Sequence, residues 1–362
     1  MTLYTGWTRT AVARKTATAY GYQTSTARTN QTATANAVGT AGVKTMTALP
    51  PTQTAMAATL TALATYLPTP TPTTTMTLTV TATPTATLTP GPIAFSVGST
   101  APYGLRSMNF DGSNLQTMLG DGLVCDWVPG GMKLIIEKGS PSQLYSINRD
   151  GSNPVTLSNQ PPGDDNSQAA VSPDGQWIVF SSGSMGSRQL YLLQMVDPFN
   201  LTLLTMPGEN YAPDWTPASM GNKIVFVSTA GGTADIYTLD LGLTLPPVGP
   251  YSPSSLPGNT TSEEDTPHYS PDGANLAYAR YDGSKWEVCA SNATDLSASI
   301  CTTSSTLYTV RPEPEISADG LRIIFISDYV TTANIWTVNF DGSGFSEITY
   351  SNDPLRRPNW AP

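Results

Sequence analysis

HYSPDGANLAYARYDGSKWEVCASN, residues 268–292, holds the pattern that decides the fold: an aromatic residue, Ser-Pro, an Asp-Gly turn, a short strand NLAYAR and a second strand KWEVCAS. The same order recurs along the chain, as WVP at 127, VSP at 171, WTP at 215, YSP at 269, ISA at 316 and WAP at 360. Successive spacings are 44, 44, 54, 47 and 44 residues, so the unit is about 45 residues long and occurs six times. Within each copy come strands such as WIVFSS, KIVFVS or RIIFIS, then QLYLLQM, DIYTLDL or NIWTVNF, then turns such as NRDGSN or NFDGSG. Asp-Gly supplies the positive-φ residues that a tight hairpin needs. Each unit therefore reads as a four-stranded antiparallel sheet, and six of them read as an all-β, six-bladed propeller.

The two ends of the repeat region agree with this reading. The first copy begins at PIAFSV (92–97) without its aromatic-x-Pro strand, and RRPNWAP (356–362) supplies that strand with nothing after it. Ring closure follows, with the C-terminal strand completing the first blade and removing two open sheet edges. Taken together, YAPDWTP, PHYSPDG, DIYTLD and RDGSNPVTL resemble the TolB-like propeller repeat over about 270 of the 362 residues. The resemblance implies the fold, while function must come from the site. Two copies depart from the pattern: PASMG replaces the PDG turn in the fourth blade, and Ala169-Ala170-Val171 stands in the third where others carry Pro and an aromatic.

Residues 1–91 are chemically distinct, with 31 Thr, five basic residues and no Asp or Glu, whereas 92–362 hold 12 basic and 27 acidic residues. Such a segment buries too little apolar surface to order itself as an independent globule. It is expected to be a Thr-rich arm or stalk. Thr52 and Pro68 frame a short helix over 52–67, with Met56, Leu60, Leu63 and Leu67 at 4-3-4 spacing as a self-association stripe. From 69 to 91 the chain is expected to be extended, because Thr occupies every odd position to Thr89 and prolines exclude a helix. Three readings stand: a stiff stalk O-glycosylated at Thr69, Thr71, Thr73, Thr77, Thr79, Thr81, Thr83 and Thr85; an added strand presenting Met76, Leu78 and Val80 to a neighbouring subunit; or a plain linker.

Little in the sequence points to catalysis. It has one histidine, His268, and no G-x-S-x-G, HExxH, paired Cys-x-x-Cys or phosphate-cradling Gly loop, so neither enzyme chemistry nor a cofactor or metal is expected. His268 fills the slot held by Asp214, Glu315 and Asn359 in other copies. Acidic residues gather in the segments leading into the innermost strands, which places Asp126, Asp214, Asp265, His268, Glu313 and Glu315 at the propeller mouth as candidates to bind a cation, protein or glycan. Cys289 and Cys301 fall on adjacent strands of the fifth blade and are candidates for a disulfide in an oxidising compartment, with a strand register that keeps the sulfurs apart as the alternative. The acidic bulk argues against nucleic acid, and no run of about 18 apolar residues exists to span a bilayer. MTLYTGWTRTAVARK lacks the apolar stretch of a secretory signal, so export would depend on a segment outside this sequence. Two functions remain: a display or recognition head on a stalk, or an extracellular filament subunit assembled through its arm.

Overall fold

Strands rich in Val, Ile and Phe, such as WIVFSS (177–182), KIVFVS (223–228) and RIIFIS (322–327), are buried along almost their entire length. A strand covered on both faces needs apolar residues at consecutive positions rather than in alternation. That is the situation of the second strand in each propeller blade, sandwiched between the two neighbouring blades. The computed structural model describes residues 91–362, apart from 158–164, 198–199, 303–309, 329–331 and 362, together with the backbone of four short N-terminal strands. The chain divides into two compact units, Met1–Thr87 and Leu88–Pro362.

The larger unit contains six four-stranded antiparallel sheets. Blade one is made of Leu355–Trp360, Ile93–Val97, Gly104–Met108 and Gln116–Leu119, so the C-terminal strand does pair with the first strand of the repeat region, Trp360 opposite Ile93. Blades two to six follow in chain order, with innermost strands Leu123–Trp127, Asn166–Val171, Asn210–Trp215, Glu263–Tyr269 and Glu315–Ile316. The hydrophobic core lies between blades. Six clusters each join two neighbours, and the one that closes the ring packs Ile93, Phe95, Met108 and Trp360 of blade one on Ile324, Ile326 and Ile335 of blade six.

The Ser-Pro-Asp-Gly signature has a local cause. In blade three, Ser172 Oγ donates to Asp174 Oδ1 at 2.5 Å and accepts from the Trp177 N–H at 2.9 Å, while the Gln176 N–H caps the same carboxylate at 3.0 Å. Ser270/Asp272 and Ser317/Asp319 repeat this in blades five and six. Gly175 closes the turn at φ +70°, where a Cβ would be strained. Blade four, lacking the signature, turns through a short 3-10 segment, Ala218–Met220, stabilised by Thr216 Oγ1 donating to the Gly221 and Lys223 carbonyls.

In the N-terminal unit, Thr32–Ala37, Thr45–Thr47, Ala58–Thr65 and Thr74–Ala82 form one antiparallel sheet in the order first, fourth, third, second. The helix expected over 52–67 is corrected here, because Ala58–Thr65 is a strand paired along its length with Thr74–Ala82. ATLTALAT alternates β-branched Thr with Ala and Leu over most of its length, and the strand preference of Thr prevails over the short leucine stripe. Leu60, Leu63, Met76, Leu78, Val80, Thr77, Thr79 and Thr81 lie in these strands, with Leu60 in register with Val80. Met56, Leu67, Thr69, Thr71, Thr73, Thr83 and Thr85 lie outside the described residues.

Deleting residues 355–362 strips blade one of its innermost strand and uncovers the closing cluster. The expected result is loss of cooperative thermal unfolding and dye binding to exposed apolar surface, read by scanning calorimetry and 8-anilinonaphthalene-1-sulfonate fluorescence; a cooperative transition near that of the full chain would refute the closure argument.

Candidate functional site

Five of the six innermost strands carry a one-residue bulge as they pass the propeller axis, with register shifts at 124/126, 167/170, 211/214, 265/268 and 356/359. In five blades the residue two positions before the slot is left-handed though not glycine: Gln168, Ala212, Thr266, Glu313 and Arg357, at φ +45° to +53°. Such a conformation is strained, on the order of 1 kcal/mol or more per residue. Pro follows in four of the five, then the slot residue Asp214, His268, Glu315 or Asn359. The bulge turns these side chains toward the axis, where they line a channel of about 120 Å³ to which all six blades contribute.

There they fasten each blade to the next. Asp126 Oδ2 accepts the Val171 N–H at 2.7 Å, and Asp214 Oδ2 accepts the Tyr269 N–H at 3.0 Å. His268 Nδ1 accepts the Ile316 N–H at 3.3 Å, and Glu315 accepts the Trp360 N–H. Asn359 Nδ2 donates to the Cys125 carbonyl at 3.3 Å, which completes the step from blade one to blade two. Blade three has only Ala170 in this slot. Its neighbour Gln168 takes over, accepting the Ala212 N–H at 3.2 Å, while Trp215 Nε1 donates to the Ala170 carbonyl at 3.1 Å. Glu313 repeats the Gln168 arrangement by accepting the Arg357 N–H at 2.9 Å.

Asp126, Asp214, His268, Glu313 and Glu315 thus come together in one site. Asp265 stands farther out, buried and paired with Arg311 at 2.6 Å. Two further acidic residues on the strand-entering segments are also committed, Glu209 to Arg188 at 2.6 Å and Glu264 to the Thr260 hydroxyl at 2.7 Å. The unneutralised charge therefore sits one layer deeper than those loops. No local pattern pointed to Arg357, which pairs with Glu137 from the next blade and lines the same channel, or to Gln168 as a stand-in clasp. Spacing from the bulge could have identified Gln168; the Arg357–Glu137 pair joins positions 220 residues apart and leaves no local signal.

Burial holds the Asp126, Asp214, Glu313 and Glu315 carboxyls above the ordinary range; Glu315 adds repulsion at Asp126, while His268 opposes the rise at Asp214 and Glu315 and Arg311 opposes it at Glu313. For His268, burial works downward, but Glu315, Asp214 and Asp126 outweigh it and raise the imidazole to about 10. Its Nε2 lies 3.0 Å from Glu315 Oε1 and 3.9 Å from Asp214 Oδ2. A proton on Nε2 serves the Glu315 bond in either ionisation state, whereas a second proton on Nδ1 would oppose the Ile316 N–H. The Nε2–Glu315 bond is therefore the firm one. In blade five, Cys289, buried in the cluster against blade four, stands directly opposite Cys301 on the outermost strand and forms a disulfide with it.

No known protein-family profile matches the chain. An uncharacterized protein of Agrobacterium fabrum is 32% identical over 120 residues, which cover 30% of this chain and 38% of the relative, so the match spans well under half of that protein. Among solved structures, TolB from Acinetobacter baumannii superposes with a TM-score of 0.63 at 19% identity, covering 75% of this chain and 67% of that one. A putative TolB from Agrobacterium tumefaciens gives 0.54 at 18%, covering 72% and 89%, and a chain of a nidogen/laminin complex gives 0.58 at 10%, covering 75% and 98%. These likenesses, with the six blades and their closure, define the larger unit as a six-bladed β-propeller. Its fold is of the TolB-like type.

The raised groups fix the sign of the pH dependence. A group that holds its proton more tightly when folded stabilises most when it is protonated in both states, and that stability falls as pH rises through the folded value. The Asp126, Asp214 and Glu315 carboxyls contribute stability that is complete in acid and is lost as pH rises through their folded values. The melting temperature should fall from pH 5 to pH 8, and His268→Ala, which loses the acceptor for the Ile316 N–H, should melt lower than the parent throughout that range. Glu264, raised to about 7 by burial, gives a second case. Glu264→Gln mimics the protonated carboxyl, so it should match the parent at pH 5 and exceed it at pH 8; equal melting at both pH values would contradict the assignment.

Proposed function

We propose that the propeller is a non-enzymatic recognition head of an exported protein, and that its axial channel receives a positively charged group of a partner. The observation that carries this reading is the cluster of Asp126, Asp214 and Glu315 around a single histidine, held above their ordinary pKa by burial. A cation entering the channel would relieve that burial cost and let the carboxylates ionise. Both ring nitrogens of His268 are engaged in fastening blades, which favours a structural role for it over general acid-base catalysis. The Cys289–Cys301 disulfide supports an oxidising, extracytoplasmic setting. We read the Thr-rich N-terminal unit as the element that carries or assembles this head at the cell surface. Its paired strands favour self-association over a plain linker, with a glycosylated stalk as the alternative.

Calorimetric titration of the full chain with tetralysine and, separately, with calcium tests the channel. Binding of at least one is expected to strengthen between pH 5 and 8, to weaken with salt as exposed charge pairs do, and to drop at least tenfold in Glu315→Gln. Binding that ignores pH and the substitution, or none of either probe, would refute the reading.

A further inference from the structure

A second cavity, of about 340 Å³, lies above blade two, off the axis. One wall is the blade-one loop carrying Tyr103, the other the blade-three segment carrying Arg188, and Arg357 lines both this cavity and the axial channel. Its volume falls within the roughly 300–1,000 Å³ usual for small-ligand sites. No role assigned above uses it.

Its chemistry narrows the ligand. Every ionised side chain of the floor and walls already has a partner within the protein. Glu137 pairs with Arg357, Lys138 Nζ lies 3.8 Å from Asp121, and Arg188 is held by Glu209 at 2.6 Å and over the Tyr211 ring at 3.8 Å. Asp165 accepts the Ser142 N–H at 2.9 Å. A charged ligand would have to break one of these pairs to gain another, and an apolar one would meet a charged floor. A peptide adding as a strand needs an open sheet edge, but Lys133–Lys138 beneath the cavity is hydrogen-bonded along both edges. What remains is a neutral ligand with many hydroxyls. Paired carboxylates and guanidinium groups retain unused lone pairs and N–H groups in planar arrays that suit vicinal hydroxyls. Tyr103, part-exposed on the rim, carries the Arg356 guanidinium over one ring face at 5.7 Å from the centroid, and its opposite face is the one on which the apolar side of a sugar can stack.

We infer that the cavity above blade two is a binding site for a neutral oligosaccharide, with Tyr103 as its stacking platform and the Glu137–Arg357 and Lys138–Asp121 pairs as its hydroxyl-reading floor. The site shares Arg357 with the axial channel but lies off the axis, and it does not require a cation bound in the channel.

Saturation-transfer NMR on the full chain with maltotetraose, cellotetraose and mannotetraose tests it, with tetragalacturonate and tetralysine as charged counterparts. Transfer to at least one neutral tetrasaccharide is expected, with affinity at least tenfold lower in Tyr103→Ala and in Tyr103→Leu, a variant that keeps apolar bulk so that a folding defect is not mistaken for lost recognition. Leu243→Ser, fully exposed on blade four and outside both cavities, should leave sugar binding unchanged. Three results would each overturn the inference: no transfer to any neutral sugar, transfer that persists in both Tyr103 variants, or tighter Tyr103-dependent binding of either charged probe.

Discussion

A side chain near the axis of one blade gripping a backbone N–H of the next is the interaction on which this propeller depends. Six sheets arranged around an axis splay apart on the outside and crowd at the centre, where backbone polar groups would otherwise face a narrow channel without partners. Asp126, Asp214, His268 and Glu315 accept those N–H groups, and Asn359 donates across the blade-one to blade-two seam. A left-handed residue two positions before the slot brings Asp214, His268, Glu315 and Asn359 to the axis. Its strain is offset where the bulge residue's own N–H is taken up, as Gln168 does for Ala212 and Glu313 for Arg357.

The functional reading grows from the same residues. Carboxylates suit the clasp because they accept strong bonds from backbone N–H groups, but gathering them around one channel concentrates negative charge in a poorly solvated space. His268 relieves part of that by bonding to Glu315 and lying close to Asp214. The remainder is available to an incoming cation. A site of this kind is built from groups that cannot move without loosening the ring, which suits recognition better than turnover.

Much of the fold was legible because its cause is local and repeated. Ser-Pro-Asp-Gly builds the same hydrogen-bonded turn wherever it occurs, and the missing first strand together with WAP at the end announced closure. The slot residues were legible too, through their position before the aromatic. The bulge conformation was not, since Gln168, Thr266 and Arg357 carry no preference for positive φ. Nor were the pairs that join distant segments, such as Arg357 with Glu137 or Asp265 with Arg311. In the N-terminal unit, Leu60 and Leu63 fit a helical stripe as well as a strand, and pairing with Thr74–Ala82 decided for the strand.

The central claim is that these acidic side chains hold the ring as hydrogen-bond acceptors rather than as charges, so that the charge is free for binding. The double substitution Asp126→Asn with Asp214→Asn retains an acceptor oxygen at both clasps and removes both charges. Calorimetric melting from pH 4 to 9 should show the variant matching the parent in acid, declining less as pH rises, and equalling or exceeding it at pH 8. A variant that melts more than about 10 °C below the parent at every pH, a shift of several kcal/mol in a domain this size, would mean that the charges themselves hold the blades together.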